Sequence, residues 1–231
     1  MAPLTLVFDL DGTLVDTAPD LIAATNHVLA MAGLPPASPQ RLREQVSFGA
    51  RRMIEAGLAA HGARRAPAEL EHMLSGFLAH YEENIAVSSR PFPGVVPVLE
   101  AARRRGDKLA VCTNKSEALA VQLLDALGLS RLFAAISGGD TYPVCKPHPD
   151  HVLGTISAAG GDPARAILVG DSATDVRAAR AAGIPVIGVT FGYTDVPVAS
   201  LGVDATIEAY ADFSTALAQV QRLLSRGEMP T

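Results

Sequence analysis

The chain contains three short hydrophobic runs, and each is followed directly by a segment that is polar or contains glycine. The runs are Leu4–Phe8, Leu109–Cys112 and Ala166–Val169. They are continuous rather than alternating, which is typical of strands buried on both faces of a parallel sheet. Two further runs, Pro185–Thr190 and Ala205–Ile207, predict short strands as well.

Segments of helical length lie between these strands. Ser116–Leu127 ends at Gly128, and Thr174–Ala182 ends at Gly183. Glycine tolerates the left-handed conformation that closes many helices, so both segments are predicted to be helices with glycine caps. Asp212–Leu224 predicts a closing amphipathic helix. The repeated order of strand and helix indicates an α/β fold with a parallel sheet.

The stretch Thr17–Ala86 has a different character. Its apolar residues recur at helical spacing, and no strand-like run interrupts them. Three prolines divide it into a first helix and a later group, and the proline-rich segment Arg90–Gly94 marks the return to the sheet. The sequence therefore predicts a core domain of residues 1–15 and 88–231 and an inserted all-helical cap domain of residues 16–87.

Composition limits the classes of function. The chain has 231 residues, of which 48% are hydrophobic, enough for one domain or for one domain with an insertion. A formal net charge of -5 without a basic run argues against binding to nucleic acid or to an anionic membrane surface. Met1–Phe8 does not resemble a secretory signal, no apolar run approaches a membrane span, and Cys112 and Cys145 are interpreted as reduced thiols. We therefore expect a cytoplasmic protein.

The segment Asp9–Leu14, which reads DLDGTL, begins where the first predicted strand ends. Ligands of parallel sheets bind at the carboxyl ends of the strands. Gly12 gives the chain freedom to curl, so that Asp9 and Asp11 can face one crevice and hold a divalent cation. The alternative interpretation is an Asp-Gly turn with solvated carboxylates.

Two more polar clusters follow predicted strands. Thr113 and Asn114 can donate hydrogen bonds to a phosphoryl oxygen, although Asn114 could instead cap the following helix. Asp171 and Asp175 lie one helical turn apart and share a face. The alternative for this pair is a helix cap followed by a first-turn acid.

Lys146 lies in the proline-containing segment Cys145–Asp150, after a turn at Gly138 and Gly139. A lysine in a rigid loop can serve as a fixed point charge for phosphate, and the alternative is a solvated surface lysine. In conjunction, the four clusters supply carboxylates for a metal and donors for phosphate. Magnesium prefers such oxygen ligands and usually keeps several waters.

The order and spacing of these clusters resemble the four-motif pattern of haloacid dehalogenase-type phosphohydrolases. The match rests on Asp9–Thr13, Thr113, Lys146, Asp171 and Asp175. Within that superfamily the whole chain is similar to the phosphoglycolate phosphatase group, including the helical insertion after the first motif. The resemblance implies a Rossmann-like doubly wound parallel sheet with an inserted all-helical cap.

The resemblance also implies a Mg2+-dependent phosphatase that hydrolyses a small phosphate ester, with phosphoglycolate favoured, through an aspartyl-phosphate intermediate. Related dehalogenases lack the second aspartate of the first motif, so Asp11 favours phosphoryl transfer. The implied roles are the nucleophile (Asp9), an acid/base (Asp11), phosphate contacts (Gly12, Thr113, Asn114), a bridge from nucleophile to phosphate (Lys146), and metal ligands (Asp9, Asp11, Asp171 and, through water, Asp175).

Substrate selection is expected to come from the cap. Arg51 could meet a substrate carboxylate; Arg52 points about 100° away on a helix, so at most one of the two contacts substrate. The alternative is two solvated arginines. None of the six histidines has metal-ligand spacing.

Two rival functions remain at this point, a phosphosugar mutase of the same superfamily and a non-catalytic binding module that retains the fold. The sequence leaves a monomer and a homodimer equally open.

Overall fold

A computed structural model describes residues 3–194 and 196–226. These residues form two compact units, one made of the residues up to Val15 and from Pro91 onward, the other of Asp16–Arg90. The second unit runs three residues beyond the end expected from the sequence, because Ser88 and Ser89 donate backbone hydrogen bonds to a carboxylate within that unit. Residues 1, 2, 195 and 227–231, which the sequence analysis assigns to the core, lie outside the described residues.

The core unit contains a six-stranded, fully parallel sheet, which confirms the predicted α/β fold class. The strands of the described residues are β1 (Thr5–Phe8), β2 (Val15–Asp16), β3 (Arg90–Pro91), β4 (Lys108–Cys112), β5 (Ala135–Ser137), β6 (Ala166–Gly170), β7 (Val186–Val189) and β8 (Ala205–Ile207). The spatial order of the sheet is β5-β4-β1-β6-β7-β8. The strands β4 and β5 therefore lie on one side of the central β1, and β6, β7 and β8 lie on the other, as in a doubly wound sheet.

The register of the sheet aligns the ends of its central strands. Phe8, the last residue of β1, lies opposite Val111 of β4 and Val169 of β6. All four residues of β1 are buried, as continuous apolar strands in a parallel sheet should be. The residues that follow β1, β4 and β6 consequently leave the sheet side by side.

Five helices accompany this sheet among the described residues of the core unit. They are α5 (Val95–Arg104), α6 (Glu117–Ala126), α7 (Pro149–Ala158), α8 (Ala173–Ala181) and α9 (Phe213–Arg226), numbered after the helices of the other unit, which precede them in the chain. Gly128 and Gly183 adopt φ angles of 69° and 68° after α6 and α8, which confirms the predicted glycine caps. The sequence analysis missed α5 and α7.

The inserted unit is helical. Its helices are α1 (Ala18–Met31), α2 (Pro39–Arg43), α3 (Ala50–Ala60) and α4 (Pro67–Glu83). Helix α1 packs against both α3 and α4, and the three helices bury Leu29, Ile54 and Phe77 respectively. Proline begins α2 and α4, a position where its missing N–H has no intrahelical partner to lose.

The short strands β2 and β3 pair as a separate two-stranded sheet at the two places where the chain passes between the units. Among residues 3–194 and 196–226, no helix combines the length and apolar character that a membrane crossing needs.

Candidate active site

The four predicted polar clusters follow four strands that are neighbours in the sheet. Asp9, Thr113 and Asp171 come directly after β1, β4 and β6, and Lys146 lies in the loop that leaves β5. Because β5, β4, β1 and β6 are adjacent, these side chains belong to one edge of the sheet, where parallel sheets bind ligands.

Three carboxylates converge at this edge. Asp9, Asp171 and Asp175 each offer an oxygen, and these oxygens lie within 4.8 Å of one another. Asp171 and Asp175 are buried, whereas the Asp9 side chain retains 14% of its exposure. Asp9 is therefore the member of the group that a ligand can approach most directly.

Lys146 is buried among these carboxylates. Its Nζ lies 2.9 Å from Asp9 Oδ1 and 2.6 Å from Asp175 Oδ1, and the residue is only 3% exposed. Burial opposes its charge, but the charges of Asp175 and Asp9 outweigh that effect and raise the Lys146 pKa. The interpretation of Lys146 as a solvated surface lysine is wrong.

Hydrogen bonds fix the two buried aspartates. Asp175 Oδ2 accepts from the backbone N–H and the hydroxyl of Ser172, at 3.1 and 2.6 Å. Asp171 Oδ2 accepts from the Tyr193 backbone N–H at 2.7 Å, and its Oδ1 accepts from the Thr13 hydroxyl at 3.3 Å. Their carboxylate positions are thus set by the surrounding loops.

The carboxyl groups of the cluster outnumber its ammonium group. Burial, opposed in part by Lys146, raises the pKa of Asp9 to about 6. Burial and the charges of Asp175 and Asp9 raise the pKa of Asp171 well above its usual range. One ammonium group faces three carboxylates, so the donor set fits a hard divalent cation with oxygen preference.

Asp11 lies outside the three-carboxylate group in which the sequence had also placed it. Its two oxygens are 2.9 and 3.1 Å from Lys115 Nζ, and this ion pair holds the carboxylate. Gly12 adopts a φ of 82°, and a Cβ there would come within 2.6 Å of Asp171 Oδ2. The tight turn therefore needs glycine both for its conformation and for space.

Asn114 contacts the loop of residues 145–148, here named the lysine loop, whereas Thr113 contacts Lys115. Asn114 Nδ2 donates to the backbone carbonyl of Lys146 at 2.9 Å, and Thr113 Oγ1 accepts from the Lys115 backbone N–H at 3.3 Å. Asn114 thus supports the lysine loop, a contact that the sequence analysis did not predict.

Comparison with known proteins places this geometry in a family. The family model of haloacid dehalogenase-like hydrolases matches residues 6–189. The chain belongs to this family.

Relatives of this haloacid dehalogenase-like hydrolase include phosphoglycolate phosphatases. The chain is 48% identical to a phosphoglycolate phosphatase of Agrobacterium fabrum, over 98% of this chain and 96% of the relative. It is 47% identical to a phosphoglycolate phosphatase of Mesorhizobium japonicum, over 93% and 94% of the two chains. The crystal structure of a predicted phosphoglycolate phosphatase from Haemophilus somnus superimposes with a TM-score of 0.86 at 33% identity, over 93% and 98% of the chains. The chain is a phosphatase of the phosphoglycolate phosphatase-like group.

Arg51 of the hydrolase lies on α3 in the inserted unit, whereas the carboxylate group belongs to the core unit. Its Nη2 is 2.6 Å from Glu71 Oε1, and both side chains are exposed. Arg52 pairs with Glu55 along the same helix at 3.2 Å. Both arginines therefore have partners within their own unit.

Three contributors to the site were missed by sequence reasoning. They are Lys115, which pairs with Asp11, Tyr193, whose backbone N–H binds Asp171, and His151, which binds the lysine loop. Lys115 and Tyr193 both follow predicted strands closely, but this position was a usable signal only for Lys115, because Tyr193 contributes through its backbone N–H. His151 lies in α7 and does not directly follow a strand, so its hydrogen bond with the Lys146 N–H is visible only in the folded structure.

Proposed function

We propose that this phosphatase hydrolyses phosphoglycolate with Mg2+ as its metal and Asp9 as the nucleophile. The observation that carries the proposal is the convergence of Lys146, Asp171 and Asp175 on Asp9, whose side chain remains 14% exposed. The names of the relatives support the choice of phosphoglycolate.

In the first step an Asp9 oxygen attacks phosphorus, and the bond between phosphorus and the ester oxygen breaks. The ionised form of Asp9 is the nucleophile, and Lys146 at 2.9 Å favours that form and faces the negative charge of the phosphoryl group. The product of this step is a phosphate linked to Asp9 as an acyl phosphate. Covalent catalysis divides one difficult hydrolysis into two easier reactions.

Asp11 transfers the protons in both steps. In its protonated form it donates a proton to the departing alkoxide, and its carboxylate then accepts a proton from the water that attacks the acyl phosphate. The second step releases inorganic phosphate and restores the Asp9 carboxylate. Lys115, whose Nζ is 2.9 Å from Asp11 in the structure, holds this carboxylate beside the nucleophile segment.

Asp9, Asp171 and Asp175 would hold the magnesium ion, Asp175 through water. When bound, the ion supplies positive charge that offsets the carboxylates and the phosphoryl oxygens. The hydrogen bonds from Tyr193 and Ser172 hold the carboxylates of Asp171 and Asp175.

Asp9→Asn tests the nucleophile. We expect a folded protein without turnover, because the amide is a poor nucleophile and cannot form the acyl phosphate. Phosphate release from phosphoglycolate and circular dichroism are measured together, with and without chelation of Mg2+. Asp125→Asn, an exposed position on α6, is the matched control and should retain full activity. A folded Asp9→Asn protein that still turns over would refute the assignment.

Arg51→Ala tests whether Arg51 binds the substrate carboxylate. We expect a higher KM for phosphoglycolate and an unchanged KM for a neutral sugar phosphate, because only the first substrate carries a carboxylate. Arg52→Ala, one residue away and also ion-paired, is the control. An equal change of KM for both substrates in Arg51→Ala would refute the proposed contact between Arg51 and the substrate carboxylate.

A further inference from the structure

The backbone of Lys146 is held on both sides by side chains from other segments of the core unit. Its N–H donates to His151 Nδ1 at 3.1 Å, and its carbonyl accepts from Asn114 Nδ2 at 2.9 Å. The Lys146 side chain extends from this fixed backbone to Asp9 and Asp175. The position of the ammonium group consequently depends on both contacts.

We propose that His151 is a positioning residue for the phosphatase reaction, and that its Nδ1 sets the place of Lys146 relative to Asp9. The inference rests on the proposed role of Lys146 in turnover. His151 itself touches neither the carboxylate group nor a reacting atom in this assignment.

The surroundings of His151 suit a fixed acceptor. The residue is fully buried in the first turn of α7, and its ring meets that of Tyr142 edge to face, with centroids 5.9 Å apart. Its backbone carbonyl accepts from the Thr155 hydroxyl at 2.7 Å. These contacts restrict both the backbone and the ring of His151.

The protonation state of the ring agrees with this geometry. Nδ1 can accept a hydrogen bond only when it carries no proton, so the neutral ring bears its proton on Nε2. Burial and the Lys146 charge lower the pKa of His151 to about 4. The backbone carbonyls of Gly138 and Ser137 lie beside the ring, but within the described residues Nε2 forms no hydrogen bond. The hydrogen bond from the Lys146 N–H is the one that Nδ1 accepts.

Positioning has a large effect in a site of this kind. A displacement of about 1 Å in a catalytic group can lower turnover by roughly a hundredfold. A backbone shift at Lys146 would move its ammonium group away from Asp9 while leaving the other groups at the sheet edge in place. The expected consequence is a lower kcat with little change in KM.

His151→Asn and His151→Gln form a matched pair of polar variants. The asparagine side chain places its amide oxygen near the position of Nδ1, whereas the longer glutamine places its amide near the position of Nε2. We expect Asn to keep kcat within about threefold of the parent protein, because it restores the acceptor for Lys146. We expect Gln to lower kcat by roughly tenfold or more, with KM unchanged.

Both variants are measured with phosphoglycolate and with a generic phosphate ester, after thermal unfolding has shown that they are folded. Equal kcat values for the two variants would overturn the proposal, as would a loss of thermal stability without a difference in kcat. If Gln does not fold, His151→Leu replaces it in the comparison with Asn, and equal kcat values again overturn the proposal. A parent protein that cleaves only the generic ester would refute phosphoglycolate as the substrate. The kcat values of the two variants with the generic ester would still test the role of His151.

Discussion

Asp175 takes part in two structures at once. Its Oδ2 accepts from Ser172 and closes the capping arrangement at the start of α8, while its Oδ1 contacts Lys146 at 2.6 Å. The sequence presents the helix cap and the site residue as alternatives, but the two oxygens of one carboxylate make the capping contact and the Lys146 contact together. A capping signal next to a strand end therefore does not argue against a functional site.

Asp171→Asn should stabilise the metal-free protein. Burial and neighbouring carboxylates raise the folded pKa of Asp171, so its contribution to stability is complete below the usual carboxylate pKa and is lost as pH rises. The uncharged amide of the variant avoids this loss of stability at higher pH. It can still accept a hydrogen bond from the Tyr193 N–H and donate one to the Thr13 hydroxyl oxygen. We expect a higher Tm than that of the parent protein at about pH 8 and a smaller difference at about pH 5.

The same variant reports on the metal. Magnesium should raise the Tm of the parent protein through binding to the folded state, and it should leave the Tm of Asp171→Asn unchanged. Asp125→Asn on the exposed face of α6 serves as the control and should behave as the parent protein does. A lower Tm of Asp171→Asn in chelator at about pH 8 would contradict the account of the cluster charge.

At the scale of secondary structure, the strands were predictable where their apolar runs are continuous. β1, β4 and β6 have such runs and were predicted, and so were the later strands β7 and β8. β5 has only three residues, two of them small, and helix α7 begins at Pro149 within a segment that reads as a rigid loop. The prediction missed β5 because the strand is short, and it missed α7 because the helix begins at a proline.

The carboxylates and Lys146 were predictable for a related reason. Each lies in a compact polar segment, three of which directly follow a strand. The contacts of Tyr193 and His151 depend on a backbone N–H and on a buried ring nitrogen, which have no local sequence pattern. Such contacts are fixed by packing between distant segments, and the sequence does not reveal them.

Two glycines of the inserted unit allow a matched test of helix packing. A Cβ on Gly76 of α4 would lie 3.4 Å from Val28, which is an ordinary contact, whereas a Cβ on Gly57 of α3 would lie 2.8 Å from the buried Leu29. Gly76→Ala should raise the free energy of unfolding by about 0.5–1 kcal/mol through reduced backbone entropy in the unfolded chain. Gly57→Ala should lower it by about 1–3 kcal/mol, because crowding exceeds that gain.

Urea unfolding of the two variants checks this prediction, since a change in midpoint at constant slope reports a change in stability. A Gly57→Ala protein that is as stable as Gly76→Ala would show that Leu29 can move aside without cost.

At the scale of the whole molecule, the buried Asp20 holds the end of the inserted unit. Its carboxylate accepts from the backbone of Ser88 and Ser89 and from the Ser89 hydroxyl, at 2.7–3.0 Å. Asp20→Ala leaves these donors without their acceptor, and we expect a loss of about 3 kcal/mol in the free energy of unfolding. Asp20→Asn keeps one acceptor oxygen and should lose less.

Chemical denaturation of both Asp20 variants provides the measurement, with Asp125→Ala as an exposed control. If Asp20→Ala were as stable as that control, the hydrogen bonds from these three donors would not contribute to the stability of the fold.

The pairing of β2 with β3 has a consequence for how this chain can be rearranged. The excursion of 75 residues from Asp16 to Arg90 departs and returns at one spot, because its two ends are neighbouring strands. A tight hairpin joining Val15 to Pro91 would span the gap without altering the order of the sheet. The insert can therefore be removed or exchanged at a single place in the chain path, and we expect the strand order of the core sheet to survive such a change.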